Sequence, residues 1–394
     1  MTDHPLDAEF PAASREDWLK RVAAVLKGAE FDVRLVSKTG DGIRIEPLYG
    51  RVDGPRAERQ TVAPWIVHAR ADHPDAAKAN AQALDDLGNG ATGLTLVMRG
   101  QAAARGFGVE VESLARVLDG VQLHAIALRL EGSAELASAL GKLVARQPID
   151  PERLDISFGL SDTTKVKELT AQGFKGPFVE ADSRALHEQG ATEAQELGAV
   201  LAMATGFLRK TEASHIGITL AADQDMFLTL AKFRAMRLLW GRVLEASGLP
   251  ATPLRLHGET SWRMMARLDP HTNILRACAA VFGAGLGGAC SISVLPFSLA
   301  QGLPNGFARR VSRNVQTVLL EEANLWRVAD PASGSGYVET LTRDLCERAW
   351  AVFQKAERSV WPTPDPGNSQ SLPLIGTTAY QLPQEYAAQV EAVT

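Results

Sequence analysis

The chain has 394 residues, 45% of them hydrophobic and 22% charged, an ordinary globular composition for one large α/β domain with an appendage or for two domains. Lysine plus arginine number 41 and aspartate plus glutamate 46, a net charge of −5 with no basic block, so a nucleic-acid partner is not expected. No uncharged run reaches the roughly 18 residues of a membrane span, and the N-terminal MTDHPLDAEF lacks the apolar centre of a secretory signal.

Residues 1–60 read as an N-terminal arm. In it, SREDWLKRVAAVLKGAEF has helical spacing, with Ser14 as cap, Asp17 in the third position and Trp18, Val22, Val25 and Leu26 on one apolar stripe. DGIRIEPLYG follows as a short extended element with Ile43 and Ile45 on one side. Residues 61–357 then alternate strand and helix. The strand candidates are PWIVHAR, GLTLVMRG, VQLHAIAL, RLDISFGL, GPFVEAD, SHIGITLAAD, PLRLHGE and CSISVLPFS. Helical patterns between them include DAAKANAQALDDLGNG, AELASALGKLVARQ, ATEAQELGAVLAMATGFLRK and MFLTLAKFRAMRLLWGRVLEASG. Residues 358–394, beginning near VWPTPDPGNSQSLPLIG, are rich in proline and polar residues and read as an extended tail.

Eight strand–helix units in such a length fit a (β/α)₈ TIM barrel in the α/β class. A doubly wound sheet is the rival, but no G-x-G-x-x-G follows the first strand. Barrel interiors are ordinarily filled by bulky branched residues. Here several strands alternate apolar with small or polar residues: Thr219, then His257 and Glu259, then Ser291 and Ser293. Either the barrel centre is hydrophilic, with room for something threaded through it, or the barrel is conventional and these residues cluster at strand ends.

The cysteines Cys278, Cys290 and Cys346 are odd in number and form no C-x-x-C pair, so a reducing cytoplasm is the expected setting. Cys278, in an apolar helical run, reads as buried filler. No phosphate loop, H-E-x-x-H or G-x-S-x-G is present, and the histidines show no metal-ligand spacing, so no metal site is expected. His4 and His73, in polar DHP stretches, are expected to be solvated, and His68 and His124 to lie within strands. Barrel enzymes work from the C-terminal ends of their strands. There the chain offers Glu180, Asp182, Asp223, His257, Glu259, Ser261 and Phe297. Such acids and the imidazole suit acid–base chemistry, and equally suit solvated loop lips or helix caps. Asp182, Thr192 and His271 fit helix starts, and Asp269–Pro270 an N-cap followed by a first-turn proline.

Across residues 15–357 the chain resembles the barrel of the adenosylcobalamin-dependent methylmalonyl-CoA mutase family. The resemblance is carried by DGIRIEPLY, PW, GATEAQEL, LAKFRAMRLLW, LRLHGETS, DPHTNILRACAA, GLPNGFARRVSRNVQTVLLEE and VADPASGSGYVETLT, in the family's order. SWRMMARLDP and SVLPFSLAQGLP point in particular to the small (β) subunit of heterodimeric mutases. The resemblance implies a barrel lined by small hydrophilic side chains, through which the pantetheine arm of an acyl-CoA passes. It also implies interconversion of (R)-methylmalonyl-CoA and succinyl-CoA by radical rearrangement, the cofactor carrying the hard chemistry.

Departures from the family's pattern matter here. Catalytic members show SGYHMQEAGAT where this chain has DSRALHEQGAT, so the histidine that bonds the thioester falls on Ala185 and the glutamine on His187. His187 is then a weak catalytic candidate, and no residue is a firm one. A tyrosine expected just before the PW strand is replaced in the Thr61–Val62 stretch, Tyr49 lying well upstream. Arg234, Arg237, His257 and Glu259 match positions near the family's substrate channel, with Ser261, Ser291 and Ser293 as further substrate-binding candidates. The family's cobalt-ligating D-x-H-x-x-G is not matched by DPHTNI, which lacks the glycine, and no cobalamin-ligating domain is expected in this chain. The resemblance thus implies a non-catalytic barrel in heterodimer with a catalytic large subunit, adenosylcobalamin entering at the level of the complex. The alternative is a catalytic barrel that binds an acyl-CoA and takes cobalamin from a separate subunit.

Overall fold

A computed structural model describes residues 13–392 apart from 58, 60, 61, 371 and 372. Thr61 and the N-terminal MTDHPLDAEF, with His4, lie outside the described residues. Eight parallel strands form one sheet: β1 Ile66–Ala71, β2 Gly93–Val97, β3 Ala127–Glu131, β4 Asp155–Ser157, β5 Val179–Asp182, β6 Ile216–Ala222, β7 Arg255–Thr260 and β8 Ser291–Ser293. Each pairs with its sequence neighbours except β4 with β5, and β8 pairs with β1. Between β4 and β5, Leu160 N donates to Phe178 O at 3.0 Å and Glu180 N to Leu160 O at 2.9 Å, which closes the ring. The fold is a (β/α)₈ barrel.

Each strand overlaps one of the eight candidate segments, because buried strands keep a side-chain period of two. β3 is displaced toward the C-terminus: VQLHAIAL ends at Leu128, whereas the strand runs to Glu131. His124 therefore lies in a short 3₁₀ turn, Leu123–Ala125, and is exposed, not within a strand.

Helices pack outside the sheet where N-caps start them. Asp75 caps α2 (Ala76–Gly88), Ser133 caps α3 (Ala134–Val144) and Asp225 caps α7 (Met226–Ala246). Thr192 starts α6 (Glu193–Leu208) with a full capping box, its hydroxyl accepting from Gln195 N while Gln195 bonds back to Thr192 N. α4 (Val166–Ala171) and α5 (Arg184–Glu188) are short. α8 (Thr272–Leu286) begins later than Asp269–Pro270 suggests: His271 is its N-cap residue, and Asp269 sits in the turn before it at φ 46°. α9 is Gly306–Thr317 and α10 is Gly336–Ala356. Cys278 is exposed on α8, not buried filler, because it falls on the face turned from the sheet. No described helix is long and apolar enough to cross a membrane.

Two segments lie outside the barrel. α1 (Arg15–Leu26) is capped by Ser14 as the spacing suggests, yet none of its residues is buried. Trp18, Val22 and Leu26 are half-buried on one face, with Trp18 edge-on to Phe31, while Val25 is 78% exposed. At the other end, residues after 357 are fastened to the upper face. Asn368 donates to Gly190 O at 2.9 Å, and Val390–Glu391 pair with Leu303–Pro304. His73 is buried, not solvated, because its ring bonds Asp75 N at 2.9 Å and lies 3.2 Å from the Glu391 carboxylate.

Candidate functional site in the barrel interior

Strand alternation sends His68, Arg70, Thr95, Arg129, Glu131, Glu180, Thr219, His257, Glu259 and Ser293 into the barrel, where all are buried. The centre is hydrophilic, and it is filled. Arg129 bridges Glu131 and Glu180, each at 3.1 Å. Above it, Arg184 reaches in from α5 and joins Glu131 and Asp182 at 2.6 Å and Glu259 at 2.9 Å. Arg70 joins Glu259 and Asp72, each at 3.2 Å, and Arg309 holds the far side of Asp72 at 2.7 Å.

The charges are matched by contact, not by solvent. Burial alone would raise the Glu131 carboxyl, but Arg184 and Arg129 outweigh it and hold it at about 2. Burial likewise works against the Arg184 guanidinium, and Asp182, Glu131 and Glu259 keep it well above its ordinary value. Below this layer two imidazoles meet edge to face, His68 and His257, with ring centres 5.5 Å apart. Burial, with Arg129 nearby, pushes His68 down to about 3 and His257 well below its ordinary range, so both are neutral. Thr95 bonds His68 at 3.3 Å and Ser293 at 3.1 Å, while His257 Nδ1 bonds Ser291 at 2.8 Å. At the lower mouth a cavity of about 40 Å³ remains, lined by His68, Arg129, Ser157, Glu180, His257 and Ser291 among others. Pockets that take a small organic ligand measure roughly 300–1,000 Å³. Of the two readings open from the sequence, the hydrophilic centre holds, filled among the described residues by its own ion pairs down to that small cavity.

His187 is elsewhere. Its side chain is 0% exposed and sits behind the strand ends. Nδ1 lies 3.1 Å from Glu196, and Nε2 lies 2.8 Å from Ser261 Oγ and 3.2 Å from Asp223. Lys232 pairs with Glu196 at 2.7 Å, Arg263 with Asp223 at 2.9 Å, and Ser183 donates to Glu196 at 2.6 Å. Burial pulls the imidazole down, but Glu196 and Asp223 more than offset it, so His187 is held above its ordinary value. Ser261–His187–Glu196 has the order of a nucleophile–base–acid relay. Ser261 is 1% exposed, however, so no substrate reaches its hydroxyl, and the two carboxylates beside His187 favour the protonated ring over the free base a relay needs. The cluster is a cross-link between the loops after β5, β6 and β7. Ala185, two residues before His187, is exposed on α5.

The sequence candidates thus separate. His257, Glu259, Ser291 and Ser293 converge inside the barrel, and Ser261 joins the His187 cluster. Arg234 lies outside the barrel, forked onto Asp330 at 2.8 and 3.0 Å and bonded to Thr342 at 3.0 Å, which fastens α7 to α10. Arg237 donates to Gly288 O at 2.9 Å near the lower end of β8. Glu180 and Asp223, open to a solvated reading, are buried in ion pairs. Sequence reasoning missed Arg70, Arg129, Glu131 and Arg184. The signal for the first three is the same period of two: Arg70 follows His68 by two, and ALRLE places Arg129 and Glu131 on one face.

Fold and interior together define a TIM barrel whose axis is occupied by its own ion pairs. Residues 171–359 match the family model for methylmalonyl-CoA mutase. Over 90% of its length the chain is 38% identical to the methylmalonyl-CoA mutase small subunit of Streptomyces virginiae, covering 65% of that protein. It is 34% identical over 90% of its length to the methylmalonyl-CoA mutase small subunit of Propionibacterium freudenreichii subsp. shermanii, covering 63% of it. With the methylmalonyl-CoA mutase of Rhizobium meliloti the identity is 27% over 82% of the chain and 55% of that protein. The chain therefore spans somewhat less than two-thirds of the length of these relatives. Its barrel is similar to those of the methylmalonyl-CoA mutase family.

Proposed function

We propose that the chain is a small-subunit-like, non-catalytic barrel component of an adenosylcobalamin-dependent methylmalonyl-CoA mutase, paired in the cytoplasm with a catalytic large subunit. The observation that carries this reading is the Arg129–Glu131–Arg184–Glu259 chain of ion pairs along the axis where the resemblance implies a pantetheine arm. Threading a ligand there means separating buried charges, and breaking one buried pair typically costs about 3–5 kcal/mol. The exposed methyl of Ala185 adds to this, since it offers no hydrogen bond to a thioester carbonyl. The sequence DPHTNI lacks the glycine of the family's cobalt-ligating motif, and its His271 packs its ring on Phe297 with centres 5.0 Å apart. The cofactor and the isomerisation belong, in this reading, to the partner chain. The unburied helix α1 supports a contact with that partner.

The test is expression of the chain alone and with a catalytic mutase subunit. Co-purification as a heterodimer, with turnover only in the complex and no heat on titrating the lone chain with CoA esters, is the expected result. Turnover by the lone chain with adenosylcobalamin, or micromolar binding of an acyl-CoA to it, overturns the reading.

A further inference from the structure

The loop after β2 does not stay on its own side of the barrel. In an eight-stranded ring β2 stands opposite β6, whose neighbours are β5 and β7. Residues 99–108 cross the upper mouth to reach both. Arg105 forms a two-toothed pair with Glu188, at the end of α5 after β5, with Nη1 2.8 Å from Oε2. The same guanidinium lies 4.9 Å over the ring of Trp262, which follows β7. Midway, the carbonyl of Ala103 accepts from Arg70 Nη2 at 2.8 Å, so the loop is tied from beneath to the ionic interior as well.

The local sequence is built for a hinged segment. Gly100, Gly106 and Gly108 have φ of 84°, 90° and 137°, and Arg105 itself is at φ 55°, a left-handed conformation uncommon outside glycine, here accompanied by side-chain contacts. Those contacts are the Glu188 pair and the Trp262 face. Ala103 and Ala104, in the 3₁₀ turn Ala102–Ala104, are buried against the mouth, whereas Gly106 is exposed.

We infer that residues 99–108 form a latch that shuts the upper mouth of the barrel and keeps water from the ion pairs beneath it, with Arg105 as its catch. The inference goes beyond the pairing proposed above and stands or falls without it. Its physical purpose is dryness: Arg70, Arg184, Glu131 and Glu259 attract one another strongly only where water is excluded. Opening the catch admits solvent to the top of that network without unfolding the strands.

Hydrogen exchange and tryptophan quenching on the full chain test it, using R105A and E188Q to release the catch from opposite sides. In the unaltered protein the amides of Ala104 and Phe107, which donate to Gln101 and Ala104 at 2.9 and 3.0 Å, should be protected. Each variant should exchange them at least tenfold faster, and acrylamide quenching of Trp262, taken as the difference from W262F, should rise. Protection elsewhere, in β6 and α7, should not change. The inference is overturned if the loop of the unaltered protein exchanges as free chain. It is equally overturned if folded E188Q, or R105A where it folds, keeps the original exchange and quenching.

Discussion

The guanidinium of Arg184 lies 2.9 Å from the carboxylate of Glu259, joining the helix after β5 to the upper end of β7 across the barrel interior. Both side chains are buried, so neither charge has water to fall back on. Replacing Arg184 by Met removes a partner that Glu131, Asp182 and Glu259 share, leaving Arg129 on Glu131 and Arg70 on Glu259, and we expect it to lower stability by about 3–5 kcal/mol. Chemical unfolding measures this. A double variant with E259Q should lose less than the two single variants summed, and strict additivity would show that the pair is not coupled.

Acid should weaken the same network. Glu131 titrates at about 2 in the folded chain against an ordinary 4.5, so its contribution is present above 4.5 and is lost as pH falls through the lower value. In thermal melting from pH 6 to 2, the part due to Glu131 should be flat above about 4.5 and fall steadily below it. E131Q should be less stable at pH 6 and should show a shallower acid limb.

His187 acts in the opposite direction. Its folded value lies above the ordinary 6.5, so its stabilisation is complete below that pH and is lost as pH rises through the folded value. H187Q keeps a polar side chain of similar reach and removes the titration. We expect H187Q to be less stable at pH 6 by about 1–3 kcal/mol and to approach the parent protein at pH 9. A constant difference across that range would show that the imidazole charge is irrelevant.

Placing at position 185 the histidine that the family resemblance leads one to expect there should not confer chemistry. A185H lies on an exposed helix face and should change stability by no more than about 0.5 kcal/mol. With the axis still filled by Arg129 and Arg184, the variant should neither bind CoA esters nor turn them over in calorimetry and isomerisation assays. Activity from this single change would mean that the interior opens readily.

Arg234 carries a prediction about the arm. It holds Asp330, whose other role is to accept from Ala57 N at 3.0 Å. R234M should lower stability by about 3–5 kcal/mol, and amide exchange should rise in residues 51–57 as well as in α10. R234K, lacking the flat fork, should recover only part of this.

The barrel itself was legible because buried strands and capped helices repeat local patterns: every strand overlaps a segment chosen by alternation, and Thr192 marks a helix start. The interior was only half legible. Thr219, His257, Glu259, Ser291 and Ser293 stood out, but ending the third segment at Leu128 hid Arg129 and Glu131, the residues that turn a hydrophilic channel into a filled one. His187 could not be placed from its neighbours in the chain, since its partners Glu196, Asp223 and Ser261 come from three further elements. Arg234 stood inside a family motif, and a motif string does not say which side of a helix a residue faces.

The bare flank of α1 has a practical consequence. Leu19 and Val25 are exposed on it, beside a half-covered Trp18, and Val33 is exposed in the short helix Phe31–Leu35 that follows. On the pairing proposed above, a preparation purified without its companion should clump at high concentration, and adding that companion should relieve it.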